Sequence, residues 1–392
     1  MKQQTITPSF ASSLECSACQ KKFSLSEINS YATCCNKPLL VNYDVSASFL
    51  KEDLLQRENT MWRYFEMLPV QNKKNIVSLG EGMTPFIRLS NLENKHGFSH
   101  LLMKDESLNP TGSFKARGIS MAVSKMKELG IKKCIIPTAG SAGGALAAYC
   151  SKANIHCIVI MPTHTPDTFK RECRLFDAEL ILVDGLINDC AKKVNEINRD
   201  GNYFDVSTLK EPYRLEGKKT MGYEIAEQLN WKLPDAIIYP AGGGTGLIAI
   251  WKAFQELIAL GWVAEPLPKM IAVQAENCAP ILAVYNDPVH WKKSFTPKPS
   301  IANGLVVPDP FGMDLIQKTI YESAGDVITV SEQAIMDGIN EVTKAEGILL
   351  SPEGSAAWKA LTILVAKNTI NKSDRIILLN TGSGNKYTAN LP

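Results

Sequence analysis

From about residue 76 onward, short apolar runs alternate with longer stretches of helical spacing. The runs are HLLMK from His100, KKCIIPT from Lys132, IHCIVIMP from Ile155, AELILVDG from Ala178, DAIIYPA from Asp235, KMIAVQA from Lys269, DVITV from Asp326 and DRIILLN from Asp374. Several carry adjacent β-branched residues and several end in Gly, Pro or Asn. Near-continuous apolar strands alternating with helices predict parallel sheets covered on both faces, an α/β doubly wound architecture. Upstream, Leu50, Leu54, Leu55, Trp62 and Phe65 recur among polar residues, and 45–75 reads as mostly helical. Residues 14–44 form a small cysteine-bearing unit closed by the apolar segment Pro38 to Tyr43. The stretch from Asp287 to Pro310, rich in Pro, Lys and Asn, reads as a loose connection.

In such folds ligands bind beyond the carboxyl ends of the strands. Three runs are followed there by small, polar loops: TAGSAGGALAAYC (Thr138–Cys150), AGGGTGLIAIWKAF (Ala241–Phe254) and TGSGNKY (Thr381–Tyr387). A fourth loop, NPTGSFKARG (Asn109–Gly118), follows the first run. Gly242, Gly243, Gly244, Thr245 and Gly246 stand between a predicted strand and a predicted helix. There, free N–H groups and the helix terminus suit a phosphate. No Gly-Lys-Ser/Thr follows, so this is not a Walker A loop. Taken alone it is equally a tight strand–helix turn. Lys115 stands at a predicted helix start, where its ammonium is disfavoured, as an imine-forming lysine requires; a solvated surface lysine fits the residue alone just as well.

Composition narrows the function classes. The 392 residues suggest two or three domains at roughly 100–200 residues each. Lys+Arg total 42 and Asp+Glu 40, a net charge of +2, with 45% hydrophobic residues. Such a chain has no bulk electrostatic reason to seek nucleic acid or an anionic membrane, so any phosphate must be held by a local site. The N-terminal segment lacks the apolar core of a secretion signal, and no run reaches the ~18 apolar residues of a membrane span. These features point to a cytoplasmic protein with no membrane or nucleic-acid partner. Of ten cysteines, six lie scattered in mostly apolar surroundings, as expected of buried thiols in a reducing compartment. Cys16, Cys19, Cys34 and Cys35 crowd near the start. Cys16-x-x-Cys19 makes half a zinc knuckle, whereas Cys34 and Cys35 are adjacent and reach a tetrahedral arrangement only with local distortion. A degenerate zinc ribbon and a remnant with free thiols both remain open.

The four loops together carry a resemblance. NPTGSFKARG resembles the lysine loop of fold-type-II pyridoxal-phosphate enzymes, GGGTG their phosphate loop, TAGSAGG their Ser-Gly-Asn loop and NTGSGNK their C-terminal loop, all in the family's order. SLGEGMTPFIRL, KDESLNPTGSFKARG and EPYRLEGKKTMGYEIAEQL narrow it to the threonine synthase family over nearly the whole chain. The resemblance implies a tryptophan synthase β-like fold: an N-terminal zinc-ribbon-like unit over 1–44, a large cofactor lobe from 45–115 and 205–392, and a small lobe over 116–204. It implies pyridoxal 5'-phosphate as cofactor, zinc in the N-terminal unit if the ribbon is intact, and a homodimer.

The implied activity is a lyase of threonine biosynthesis. O-phosphohomoserine loses phosphate from its γ carbon, and water adds at the β carbon. Lys115 would hold the cofactor as an imine and then shuttle protons. Gly242 to Gly246 would bind its phosphate, Phe114 would pack near its ring, and Ser141 would stand at its ring oxygen. Thr381 would face the pyridine nitrogen and leave it largely unprotonated, which suits elimination over transamination. Arg214 would bind the substrate's phosphate, with Thr138 and Lys218 as further substrate contacts. The loop under the ring departs from the pattern: the family's Asn is Ser141, and Ala142 offers no hydroxyl. A paralogue doing β-replacement on O-phosphoserine, as in cysteate synthase, or serine/threonine deamination therefore stays open.

Overall fold

The computed structural model describes residues 8–45 and 49–390. Its first unit is a three-stranded antiparallel sheet of β1 (Ala11–Cys16), β2 (Lys22–Phe23) and β3 (Leu39–Tyr43), in the order β2-β1-β3. Leu14, Cys16, Leu39 and Val41 turn inward from it, the alternation expected of a sheet with one covered face. Among the described residues, the stretch read as mostly helical contains three 3-10 turns, Lys51–Gln56, Met61–Met67 and Lys73–Asn75, and no α-helix. Leu50 and Leu55 are exposed, while Met61, Tyr64, Phe65 and Met67 are buried. The apolar residues of this segment are thus buried by wrapping around neighbours, not by one helical face. Residues 46–48 of that stretch lie outside the described residues.

Two further sheets follow. β4 (Phe86–Arg88) and β5 (His100–Asp105) begin the larger one. The chain then builds a separate parallel sheet from β6 (Lys133–Pro137), β7 (His156–Pro162), β8 (Glu179–Val183) and β9 (Phe204–Asp205), in the order β8-β7-β6-β9. It returns to the first with β10 (Ala236–Pro240), β11 (Lys269–Ala275), β12 (Asp326–Val330) and β13 (Arg375–Asn380), giving the order β12-β11-β10-β13-β5-β4. All eight apolar runs are strands. The short edge strand β4 has no comparable run and pairs antiparallel with β5. Both sheets carry helices on their faces, so their inner strands are buried on both sides, which is why the sequence runs instead of alternating; the edge strands β4 and β8 have no fully buried residue. The six scattered cysteines are all buried.

Candidate active site

The carboxyl ends of β6, β10 and β13 open onto one cleft, the place where ligands bind in open parallel sheets. Lys115 begins helix Lys115–Glu128 and lines this cleft. The preceding loop is stitched to the C-terminal one: the Phe114 amide donates to the Thr381 carbonyl at 3.0 Å, and Ser113 bridges Gly382. Thr381 and Lys115 therefore share one wall although they stand far apart in the chain. The Lys115 ammonium stands 4.2 Å from the centre of the Phe114 ring. Burial, and after it the neighbouring Arg214 charge, lower its pKa to about 7 against the opposing effect of Glu353.

The glycine loop follows β10. Gly242, Gly243, Gly244 and Thr245 line the cleft, and helix Thr245–Ala259 starts from them. Gly244 has φ +65°, and a Cβ there would overlap Ile316. Gly246 does not join the cradle. It lies inside the helix, and a side chain there would collide with the Tyr239 hydroxyl. Its small size serves helix–strand packing. Ser141 opens helix Ser141–Ala153 on the opposite wall. Thr138 lines the cleft too, but its hydroxyl is engaged by its own loop, accepting from the Gly140 amide at 3.2 Å.

Arg214 and Lys218 project from the same face of helix Tyr213–Gln228, as four-residue spacing requires. Both are buried. One Arg214 Nη donates to the Val206 carbonyl at 2.6 Å, while its Nε has no partner. The adjacent Glu211 does not neutralise it by direct pairing: its carboxylate accepts the amide N–H groups of Tyr213 (2.8 Å) and Arg214 (3.0 Å). Burial pushes Glu211 up to about 7. Burial also lowers Lys218 well below the usual lysine value, aided by the charges of Arg214 and Lys115. Among the described residues, Lys115, Arg214 and Lys218 form no ion pair with a carboxylate. Buried charges without partners are costly, so this wall is built for anions brought by ligands.

Behind Lys115 the cations are fully matched. Arg117 pairs with Glu106 (2.6 Å) and with Glu224, and Lys104 pairs with Glu224 (2.9 Å), all with fully buried side chains. This lattice ties the lysine helix to the helix bearing Arg214. Two cleft elements, residues 303–307 and Glu353, were not foreseen. Residues 303–307, in the stretch read as a loose connection, fold over the glycine loop. Glu353 enters from the first turn of helix Pro352–Ala366, and Tyr387, the last residue of the C-terminal loop already marked in the sequence, reaches the cleft with no role assigned to it there. Ser351-Pro352-Glu353 is a recognisable helix start, with the Ser351 hydroxyl accepting from the Gly354 amide, but no sequence signal aims that start into the cleft.

Away from the cleft, the thiols of Cys16, Cys19, Cys34 and Cys35 lie within 4.8 Å of one another. The distortion that adjacent cysteines require is present: Asn36, just after Cys35, has φ +53°, and Gln20, just after Cys19, has φ +63°. Burial opposes ionisation of Cys16, yet hydrogen bonds from the Cys19 and Ala18 amides bring its pKa down to about 7. The cluster fits a soft tetrahedral cation.

A family model for pyridoxal-phosphate dependent enzymes matches residues 77–382, which contain the lysine loop, the Ser141 loop and the glycine loop of the cleft and the start of the C-terminal loop. The chain belongs to that pyridoxal-phosphate dependent enzyme family. Threonine synthase of Methanocaldococcus jannaschii is 34% identical over 95% of this chain and 92% of its own. That of Methanosarcina acetivorans is 31% identical over 94% and 91%. Among solved structures, O-acetylserine dependent cystathionine β-synthase from Helicobacter pylori superposes with a TM-score of 0.64 at 19% identity, covering 85% of this chain and 98% of that one. Threonine deaminase isoform 2 from Solanum lycopersicum gives 0.63 at 18%, covering 87% and 94%. These superpositions establish the fold-type-II architecture. The cleft of this pyridoxal-phosphate dependent enzyme fits the cofactor on its own terms: a glycine loop that lines it at a helix start, and a buried lysine whose ammonium is destabilised. Among the described residues, no helix is long and apolar enough to cross a membrane.

Proposed function

We propose that this protein converts O-phosphohomoserine and water to threonine and phosphate. The observation that carries the reading is the buried Arg214, which has no carboxylate partner and an unsatisfied Nε. Lys218 stands beside it, one turn further along the same helix, in a cleft that already has a separate glycine cradle. Two anion sites in one cleft suit a phosphorylated cofactor and a phosphorylated substrate. The threonine synthases at 34% and 31% identity support the same reading.

Bound at Lys115, pyridoxal phosphate supplies an electron sink that acidifies the protons next to the substrate's amine. The chain's own residues do the rest. Lys115, whose pKa is brought to about 7, accepts and returns protons at its Nζ near neutral pH. Arg214 and Lys218 bind the substrate's phosphate and stabilise the charge that grows as its C–O bond breaks. Thr381 and the Gly242–Thr245 cradle orient the cofactor, and the 303–307 segment covers it from water. The four-cysteine cluster holds zinc as a structural ion in this reading.

The test mixes purified holoenzyme with O-phosphohomoserine and follows phosphate and threonine together. Equal release of both is expected; phosphate without threonine sinks the synthase reading and leaves an eliminase. Ser141 in place of the family's Asn favours a second reading, β-replacement on O-phosphoserine or deamination. It predicts turnover of phosphoserine or serine to a β-substituted product or a keto acid.

A further inference from the structure

Among the described residues, the cleft is lined by four side-chain cations, Lys115, Arg214, Lys218 and Lys386, and by a single carboxylate, Glu353. Lys386 is already paired outside the cleft's centre, with Glu172 at 2.7 Å. Glu353 is buried, and its two oxygens are used unequally. Oε1 accepts both the Tyr387 hydroxyl and the Gly304 amide, each at 2.8 Å, whereas Oε2 accepts no hydrogen bond from the described residues.

A phosphorylated amino acid brings a phosphate, a carboxylate and an ammonium. Arg214 and Lys218 complement the first, and the amide N–H groups that open helix Ser141–Ala153 complement the second. Among the charged side chains that line the cleft, only Glu353 is opposite in sign to the ammonium. Resting on the phosphorylated-amino-acid reading above, we propose that the free Oε2 of Glu353 receives the substrate's α-ammonium and orients it toward Lys115. The Tyr387 and Gly304 donors fix the carboxylate for that task, and the same hydrogen bonds tie the covering segment and the C-terminal turn to one side chain.

The test uses holoenzyme whose lysine–cofactor link has been reduced with borohydride, so that an amine binds without reacting. Calorimetry compares two probes: the phosphonate isostere of O-phosphohomoserine, and the same molecule lacking its amine. The native chain should prefer the amine-bearing probe by about tenfold or more, the worth of a hydrogen bond to a charged group. Glu353→Gln keeps an acceptor for Tyr387 and Gly304 but removes the charge. It should bind both probes to within about twofold while retaining its cofactor absorbance. A preference that survives in Glu353→Gln overturns the proposal. So does a variant that loses cofactor and weakens both probes equally, which would make Glu353 a brace only. Failure of the native chain to bind either probe overturns the phosphorylated-substrate reading, and this proposal with it. Failure to turn over O-phosphohomoserine, with the probe preference intact, overturns the choice of substrate alone.

Discussion

Among single residues, the cleft is governed by burial of positive charge. Lys115 has a folded-state pKa lowered to about 7 by burial, then by Arg214. In the cofactor-free protein its charged form is therefore penalised most below pH 7, and the penalty fades as pH rises toward the unfolded lysine value near ~10.4. Lys115→Met should raise the cofactor-free melting temperature at pH 6, by more than at pH 9; an equal gain at both would contradict the assignment. The same variant should lose the absorption band near ~410–430 nm expected of lysine-bound cofactor. Arg214→Gln should raise the KM for a phosphorylated substrate by at least about tenfold, the scale of a charge-assisted hydrogen bond, with little change in cofactor retention. Equal loss of both would place Arg214 at the cofactor instead. Lys115 and Arg214 were legible because their motifs are local. Glu353 was not, because nothing near Ser351-Pro352-Glu353 in the chain reveals that β13 carries Thr381 and Tyr387 to the same wall.

Elements decide which small residues bind and which only pack. Gly242, Gly243, Gly244 and Gly246 look alike in sequence, yet the helix begins at Thr245, and that boundary separates cradle from packing. Gly244, at φ +65° and against Ile316, has no room for a side chain. Gly244→Ala should cost about 1–2 kcal/mol in backbone conformation and more in overlap, weakening cofactor binding by roughly tenfold or more. Equilibrium titration of the cofactor-free protein checks this, and Ile316→Ala should recover only the overlap. The 45–75 segment teaches the converse. Its apolar residues match a helical pattern in part, but they are buried one by one in short 3-10 turns, so periodicity alone misassigned it.

Across the whole molecule, two features join parts that are far apart in the chain. The Glu106–Arg117–Glu224–Lys104 lattice locks the lysine helix against helix Tyr213–Gln228. Arg117→Met leaves two buried carboxylates short of a partner and should destabilise the protein by about 3–5 kcal/mol in urea denaturation. A change below ~0.5 kcal/mol would show that the lattice contributes no net stability. The cysteine cluster is the second feature. With zinc bound, Cys19→Ser/Cys34→Ser should lose metal by elemental analysis yet keep cofactor absorbance, because the cluster stands apart from the cleft. Loss of both together would couple the two.

Local sequence was enough to mark the eight long strands, the loops that follow them and the lysine at a helix start, because strand burial and loop chemistry are written in short patterns. It also carried the four cysteines, whose closeness needs only two turns. The remainder came from long-range packing. Only the folded chain shows that Arg214 and Lys218 are buried without a carboxylate, that Gly246 packs on Tyr239, and that Glu353 is the cleft's single negative side chain among the described residues. Charge balance in a cleft is a sum over residues brought together from the whole length of the chain, and no local stretch contains that sum.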